Sequence, residues 1–392
     1  LTLQLARQVK LPFTPRFDSF SELYESLPKL SNGRIVVAVD EFQRLHGTGG
    51  VTELQAAWDS GRLGNRISLI LLGSSVGMIE RLGMSYEGPL YGRATRVLKL
   101  RQLPFKDSGK FVPRFSEEDR VRVYGIFGGV PAYLSLLNDR MSLRENLFRT
   151  VVGAGAPLRE EPMNLISAET REPSRYVQIL EAIAAGASAL GEIADKSRIP
   201  QTEISKYVRV LEQELDLVQR TYPLLEVKRG KARYGLKDAL TRFWFRFIRP
   251  HLPLLELGQE REVLRNVTEK IDEHVAPTFE TIATEHMLHL RNVKKLAFDS
   301  LGRWWSRDTE IDLVAVDDKR TTAYFVEAKW TKTAVGADVL RGLRSKAERF
   351  PWKNENRKSI FIVYARSGFK LEPEPDVLLL SLHDLARDLE HT

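Results

Sequence analysis

Apolar residues recur along the chain with two different periods. Unbroken β-branched and aliphatic runs predict buried strands at residues 35–39 and 66–75, and apolar residues at helical spacing predict helices at 23–30 and 52–58. The alternating stretch 95–105 predicts a third strand. Because strands alternate with helices, this part of the chain is predicted to be an α/β unit with a parallel sheet. The first strand is expected to be covered on both faces.

The middle of the chain has a helical pattern. Residues 116–150 include an N-terminal capping signature at Ser116, and the turn Gly128-Gly129-Val130-Pro131 should end one helix and start another. Residues 174–218 predict three short helices, and two extended runs around a basic turn follow them. Three helices and a hairpin are typical of a winged helix-turn-helix. The aromatic helix that follows is expected to pack in a core.

The last part of the chain has apolar residues at both helical and strand spacing. It predicts a helix over residues 275–290 and another over 338–349. Four strands are predicted at 293–299, 310–316, 322–330 and 359–365.

Composition narrows the class of protein. The 392 residues are 43% hydrophobic, which is enough for two to four domains, and no apolar stretch is long enough to span a membrane. Cysteine is absent, which excludes disulfides, thiol catalysis and thiolate metal sites and favours a cytoplasmic protein. The net charge of +7 allows a polyanionic partner without requiring one.

Two adjacent acids, Asp40 and Glu41, follow the first buried strand. This arrangement suits a P-loop ATPase, where the aspartate holds Mg²⁺ and the glutamate orients the attacking water. Ser74 and Ser75 end the next strand and could sense the terminal phosphate, and Arg93 is a candidate for stabilising charge. The alternative is two solvated acids at a loop. No G-x-x-x-x-G-K-[ST] loop occurs in the chain, and we expect that loop to lie upstream of Leu1.

A second chemical pattern lies near the C-terminus. Asp312, Glu327 and Lys329 have the spacing D-x14-E-x-K across a predicted hairpin, and strand periodicity puts Glu327 and Lys329 on one face. Two carboxylates and a lysine suit metal-dependent phosphodiester cleavage, with Glu280 on the preceding helix as a third carboxylate. Glu285 is the poorer candidate. The alternative is an exposed E-x-K on an edge strand.

The predicted winged helix carries candidate DNA-binding cations. They lie on its third helix and in its hairpin, and they are Lys206, Arg209, Lys228, Arg229, Lys231 and Arg233. Glu203, Glu212 and Glu214 share that helix, so a packing or dimerisation module is the alternative.

Four segments in order, VVAVDEFQRL, LILLGSSVGMIE, GPLYGRATRVLKLRQLPF and YGIFGGVPAYL, resemble the archaeal ATPases of the STAND branch of AAA+ proteins. The resemblance continues through the winged helix into a C-terminal nuclease-like domain of the PD-(D/E)xK type, a domain without an established function. It implies that Asp40 and Glu41 are the Walker B acids, that Ser74 lies in the sensor 1 region and that Gly128–Pro131 belongs to a helical lid. The missing Walker A loop is the departure from that family.

The predicted fold class is α/β multidomain. The domains expected are the C-terminal part of a P-loop ATPase core at 1–113, a helical lid and connector at 114–172, a winged helix-turn-helix at 173–250 and a restriction-endonuclease-like α/β domain at 251–392. The predicted function is an ATP- and Mg²⁺-using switch coupled to DNA binding, whose nuclease-like domain would either cut DNA or merely bind it. The alternatives are a non-catalytic DNA- or protein-binding scaffold and an ATPase that signals to protein partners. No membrane partner is expected, and a homo-oligomer stays open.

Overall fold

The computed structural model describes residues 16–30, 32–73, 76–225 and 232–390. The chain forms two compact units. The first comprises Leu1–Lys99 and Gln213–Asp216, and the second comprises Leu100–Glu212 and Leu217–Thr392. The finer division into four domains stays a prediction.

The described part of the first unit is built on a parallel pair of strands. Its elements are α1 (Phe20–Ser26), β1 (Ile35–Val39), α2 (Gly50–Asp59), β2 (Ile67–Leu71) and α3 (Val76–Gly83), with 3₁₀ turns at Leu27–Lys29 and Phe42–Thr48. Ile35 of β1 lies opposite Ile67 of β2. Tyr24 of α1 and Leu54 of α2 pack against this pair. The two predicted strands and helices are therefore confirmed.

Two predictions for this region are wrong. Residues 95–104 form no strand, and Leu98 and Leu100 expose 74% and 82% of their surface, because alternation without a neighbouring strand to pair with does not make a sheet. The described residues do not cover both faces of β1 either. Val36 on β1 is 65% exposed and Ile70 on β2 is 47% exposed, since α1 and α2 pack on the opposite face.

The second unit begins with short helices. They are α4 (Phe105–Ser108), α5 (Glu117–Phe127), α6 (Pro131–Leu134), α7 (Leu143–Leu147) and α8 (Glu161–Glu169), with a 3₁₀ turn at Gly109–Phe111 and a π-helical turn at Phe148–Val152. The Ser116 side chain accepts a hydrogen bond from the Asp119 N–H, as the capping signature predicts. At Gly129 a Cβ would lie 1.9 Å from the Leu103 carbonyl oxygen, so only glycine fits between α5 and α6.

Three helices and a hairpin follow. They are α9 (Pro173–Ala184), α10 (Leu190–Ser197), α11 (Gln201–Gln213), β3 (Val218–Thr221) and β4 (Arg233–Leu236). The strands pair antiparallel, with Val218 opposite Leu236. The third helix ends at Gln213 instead of running to residue 218, because Val218 already belongs to the hairpin.

A long helix organises the rest of the unit. After α12 (Ala239–Phe243), turns at Trp244–Ile248 and Arg249–His251, and α13 (Leu252–Glu256), the chain enters α14 (Glu260–Asn292), a helix of 33 residues. Phe243, Trp244, Phe245 and Phe247 are all buried, which confirms the predicted core role of the aromatic run. Within the described ranges no helix, α14 included, combines the length and apolar character needed to cross a membrane.

A five-stranded mixed sheet packs in the last part of the chain. Its strands lie in the order β11 (Val377–Ser381), β9 (Lys358–Ala365), β7 (Thr322–Lys329), β6 (Glu310–Asp317) and β5 (Ser300–Trp305), and β8 (Val335–Gly336) pairs separately with β10 (Phe369–Lys370). β5, β6 and β7 are antiparallel neighbours, whereas β9 and β11 continue parallel to β7. The helix α15 (Ala337–Glu348) contributes Leu340 and Leu343 to the core of this sheet.

The first predicted strand of this sheet is misplaced. Residues 293–298 form a turn and coil, and the strand begins at Ser300, so that Trp304 and Trp305 are buried in the sheet. The turn follows directly from the C-terminus of α14, where Lys294 adopts a positive φ of 60°. The predictions also missed β11 and the final helix α16 (Leu382–Glu390).

Two buried histidines on α14 predict acid sensitivity. Burial lowers the pKa of His274 to about 3 and that of His286 to about 4, while an unfolded chain protonates histidine near 6.5. Between these values the unfolded state binds more protons, so stability falls as pH drops from about 6.5 towards 4, by up to about 1.4 kcal/mol per pH unit for each histidine. Urea unfolding at pH 7 and pH 5 measures this loss.

His286→Gln should remove part of that pH dependence. Thr281→Gln serves as the control because Thr281 is an exposed residue of the same helix and the change involves no titratable group, so it should leave the pH dependence unchanged. Equal free energies of unfolding at pH 7 and pH 5 in the wild type would contradict the prediction.

Candidate functional site

The acids at the end of β1 lie in a strained turn. Glu41 adopts the left-handed conformation with φ of 51°, which non-glycine residues rarely occupy outside sites that require it. The Phe42 N–H donates to the Leu72 carbonyl at 3.0 Å, so the turn is tied to the end of β2. Asp40 accepts from the Glu41 N–H at 3.0 Å. The two carboxylates therefore follow the carboxyl end of a parallel strand, where α/β sheets bind ligands.

A buried amide supports Glu41. Gln43 exposes 6% of its surface, and its Nε2 donates to Glu41 Oε2 at 2.5 Å. A Cβ on Gly73 would lie 2.1 Å from Gln43 Oε1, so the glycine after β2 makes the space that this amide fills. Gln43 was not among the residues predicted from the sequence. Its signal was a polar residue two positions beyond the acid pair, at the start of a turn.

The candidate nucleotide-sensing residues are only partly described. Arg93 donates two hydrogen bonds of 2.7 Å to Asp59 on α2. Its guanidinium is therefore bound to a residue outside the turn that carries Asp40 and Glu41. Ser74 and Ser75 lie outside the described residues. The nucleotide-sensing role of all three stays a prediction.

The second candidate site joins β6 and β7. The Ala328 N–H donates to Asp312 Oδ2 at 2.9 Å, and Lys329 Nζ lies 2.6 Å from Glu327 Oε1. The structure thus brings together the three residues of the D-x14-E-x-K pattern. Glu327 is only 4% exposed, so its carboxylate is almost completely shielded from solvent between the sheet and the helix α15. The exposed edge-strand alternative is wrong, because β7 is an inner strand of the sheet.

Electrostatics distinguish Asp312 from Lys329. Burial raises the pKa of Asp312, and the nearby charge of Glu327 raises it further. Burial opposes the charge on Lys329, but its hydrogen bond and its attraction to Glu327 hold the Lys329 pKa above the usual value. The hydrogen bond and the attraction to Glu327 therefore favour the charged form of Lys329.

A second lysine binds the same carboxylate. Lys346 on α15 lies 3.1 Å from Glu327 Oε1 and 3.0 Å from Oε2. The sequence analysis missed it. A signal was present, because Lys346 follows the buried Leu343 by three positions and helical periodicity puts both near the sheet-facing side of α15.

Glu280 approaches the site from α14. Burial raises its pKa to about 7; the positive charge of Arg303 opposes this shift, while Asp312 and Glu327 add to it. Arg303 lies 3.0 Å from Glu280 Oε2, yet among the described residues that buried oxygen accepts no hydrogen bond. Glu285 instead accepts from the Tyr124 hydroxyl and the Phe105 N–H, which ties α14 to the preceding helices.

The donor chemistry fits a hard divalent cation. Glu280, Asp312 and Glu327 are all carboxylates, and Glu280 Oε2 accepts no hydrogen bond among the described residues although the Arg303 guanidinium is ion-paired with it. In the part of the chain described, however, no three His, Asp or Glu side chains already converge on one point as metal ligands do. Two ammonium groups lie against Glu327 in place of further acids. Both predicted magnesium sites, at Asp40 and at Glu280, Asp312 and Glu327, stay predictions.

Comparison with known proteins shows which family this chain belongs to. Residues 7–137 match a family described as an ATPase domain predominantly from Archaea, and residues 244–341 match one described as Archaea bacterial proteins of unknown function. An uncharacterized protein of Methanocaldococcus jannaschii is 32% identical over 386 residues, which cover 95% of this chain and 84% of the relative. The chain belongs to this archaeal ATPase family.

Membership of the archaeal ATPase family supports the predicted ATPase domain, which contains Asp40 and Glu41. The assignment to the STAND branch and the winged-helix and nuclease-like assignments go beyond what the family describes, and they stay predictions. The second matched region begins in the aromatic run and ends in α15, so it contains Asp312, Glu327 and Lys329 but not Lys346.

The candidate DNA-binding residues differ in their exposure and in the side chains that they contact. Lys206 and Arg209 are exposed on α11, while neighbouring Glu203 pairs with Arg175 at 2.8 Å. Arg233 on β4 stacks over the Trp305 ring at 4.6 Å and donates to Glu310 at 2.8 Å. Lys228, Arg229 and Lys231 lie outside the described residues. DNA binding by these six residues stays a prediction.

Proposed function

We propose that this archaeal ATPase-family protein is an ATP-driven switch whose second unit binds DNA and cleaves phosphodiester bonds. The observation that carries the cleavage half is the convergence of Asp312, Glu327 and Lys329 on neighbouring strands, with Ala328 hydrogen-bonded to Asp312. The ATPase half rests on the matched ATPase domain and on Asp40 and Glu41 at the end of β1.

Each residue of the second site has a chemical role in this proposal. Asp312, Glu327 and Glu280 would hold Mg²⁺, which polarises a phosphodiester and lowers the pKa of bound water. Lys329, held as a cation beside Glu327, orients that water and stabilises the charge that develops on the phosphate. Lys346 balances the charge of Glu327 from the helix side.

In the ATPase half, Asp40 would hold the nucleotide's Mg²⁺ and Glu41 would orient the attacking water. The left-handed turn at Glu41 and the hydrogen bond from Gln43 fix the direction of the Glu41 carboxylate. ATP turnover would then change the conformation that the second unit presents to DNA.

A second candidate function is a non-catalytic binding or scaffold protein. It is favoured by the engagement of both Glu327 oxygens with Lys346, which leaves the carboxylate paired with ammonium groups. Such a protein would bind DNA or a protein partner through the same surface without cutting.

Plasmid cleavage separates the two functions. With supercoiled plasmid and Mg²⁺ or Mn²⁺, we expect the purified wild type to nick or linearise DNA, and Asp312→Asn should lower the rate by about 100-fold or more. Asp317→Asn is the matched control, because Asp317 is another buried acid on β6 but pairs with Arg320. Its rate should stay near that of the wild type. A wild type that never cuts with either metal overturns the cleavage proposal and supports the binding protein.

A further inference from the structure

Two arginines from different elements share one carboxylate beside the candidate site. Arg233 on β4 donates to Glu310 Oε2 at 2.8 Å, and Arg303 on β5 donates to Glu310 Oε1 at 2.9 Å. Burial opposes the charge of Glu310, but the two arginines hold its pKa below the usual value. A carboxylate bridged by two guanidinium groups has the geometry that these groups also offer to a phosphate.

The hairpin is fixed to the edge of the sheet at this point. The Leu224 N–H, beyond the end of β3, donates to the Arg303 carbonyl at 2.7 Å. Arg233 stacks on Trp305, whose ring is buried. The two guanidinium groups therefore have defined positions on a common surface, which joins the predicted DNA-binding hairpin to the edge strand β5.

The same surface leads to the candidate catalytic acids. Arg303 bridges from Glu310 to Glu280 on α14, at 2.9 and 3.0 Å, and the negative charges of Asp312 and Glu327 raise the pKa of Glu280. A ligand bound between Arg233 and Arg303 would thus lie next to the acids that would hold the metal. The side chains of Arg233 and Arg303 are 36% and 41% exposed, so a ligand from solution can reach them.

The ion pairs with Glu310 are weak enough to be exchanged. Pairs with this much exposure contribute little to stability, because solvent screens them and ordering two long side chains costs entropy. A DNA phosphate offers two oxygens to the same donors and releases counterions when it binds. Glu310 would then act as an internal competitor that occupies the arginines until a phosphate displaces it.

We propose that Arg233 and Arg303 together bind one backbone phosphate of DNA and direct the strand from the hairpin towards Asp312 and Glu327, with Glu310 as the competing internal anion. This inference rests on the proposed DNA-directed function and adds the residues that place the substrate. It also assigns opposite effects to neighbouring charged residues, which a purely structural ion pair would not have.

Fluorescence anisotropy with a short labelled DNA duplex in EDTA tests this proposal without cleavage. Arg303→Gln should weaken binding about tenfold, as expected for one lost charge-assisted hydrogen-bonding group, and should lower the slope of log affinity against log salt by about 1. Glu310→Gln should strengthen binding about twofold to fivefold, since two exposed ion pairs no longer compete.

Arg344 and Glu374 provide matched controls. They form a similar exposed pair at 2.7 Å, and Arg344 also stacks on an aromatic ring, Phe361. Arg344→Gln and Glu374→Gln make the same changes in net charge, so they reveal any effect of net charge alone. We expect both to change the affinity and the salt slope by much less than the Arg303 and Glu310 variants.

The outcomes are distinct. If the wild type binds DNA but Arg303→Gln matches Arg344→Gln, or Glu310→Gln binds no tighter than Glu374→Gln, the phosphate site is overturned while the proposed function stands. If the wild type does not bind the duplex at all, the DNA-directed function itself fails. The gain in affinity expected for Glu310→Gln cannot arise from misfolding.

Discussion

Replacing Glu41 with glutamine should lower ATP turnover by about 10²- to 10⁴-fold, the range for loss of a positioned acid–base group. Glutamine keeps the shape of the side chain but cannot accept a proton from the attacking water. The effect should be large here because the left-handed turn and the Gln43 hydrogen bond hold this carboxylate in one direction. Phosphate release at saturating Mg²⁺–ATP measures the turnover.

Nucleotide binding should survive that substitution, because Glu41 acts on the water and Asp40 on the metal. Binding of a fluorescent ATP analogue checks this separation. Glu25→Gln is the control, since Glu25 is an acid of the same unit that pairs with Arg62 at 2.6 Å. A Glu41→Gln protein that keeps half of the wild-type turnover would remove Glu41 from the mechanism.

Replacing Trp244 with alanine should destabilise the second unit by about 3–5 kcal/mol, the usual cost of deleting a large buried aromatic ring. Trp244 is fully buried, and its Nε1 donates to the Arg159 carbonyl at 2.7 Å. The substitution leaves a cavity in the core and removes the donor from that carbonyl. The aromatic run carries no predicted chemistry, so its main contribution is to stability.

A chain of two units need not unfold in one step, so the stability of the second unit has to be measured by itself. Hydrogen exchange of the amides in α14 provides that measurement. Leu257→Ala is the control, since Leu257 is 73% exposed and its truncation should change stability by less than about 0.5 kcal/mol. A Trp244→Ala loss below about 1 kcal/mol would show that the core repacks around the missing ring.

The candidate sites differ in how far the sequence could predict them. The D-x14-E-x-K pattern was accessible because strand periodicity and a short turn determine which of its side chains meet, and the structure joins Asp312 to Ala328 and Glu327 to Lys329. Lys346 was missed because its contact with Glu327 depends on how α15 packs on the sheet. That packing joins positions distant along the chain, so local periodicity leaves the partner open.

The errors in strand prediction have the same origin. Residues 95–105 and 293–299 were predicted to be strands, but neither becomes one. A strand needs a neighbour that completes its hydrogen bonds, and that neighbour is a long-range property. The strand β5 lies further along the chain, where it pairs with β6 and buries Trp304.

The sequence by itself determined the local elements and the acids at their ends. Runs of β-branched residues and the Ser116 cap each act within a few residues, so they can be interpreted without the fold. Only the tertiary structure decided which charges meet. Arg233 and Arg303 are seventy positions apart and reach one carboxylate, Glu310, because the hairpin docks on the sheet edge. An ion pair requires two charged groups to lie within a few ångströms of each other, and chain topology decides which residues come that close.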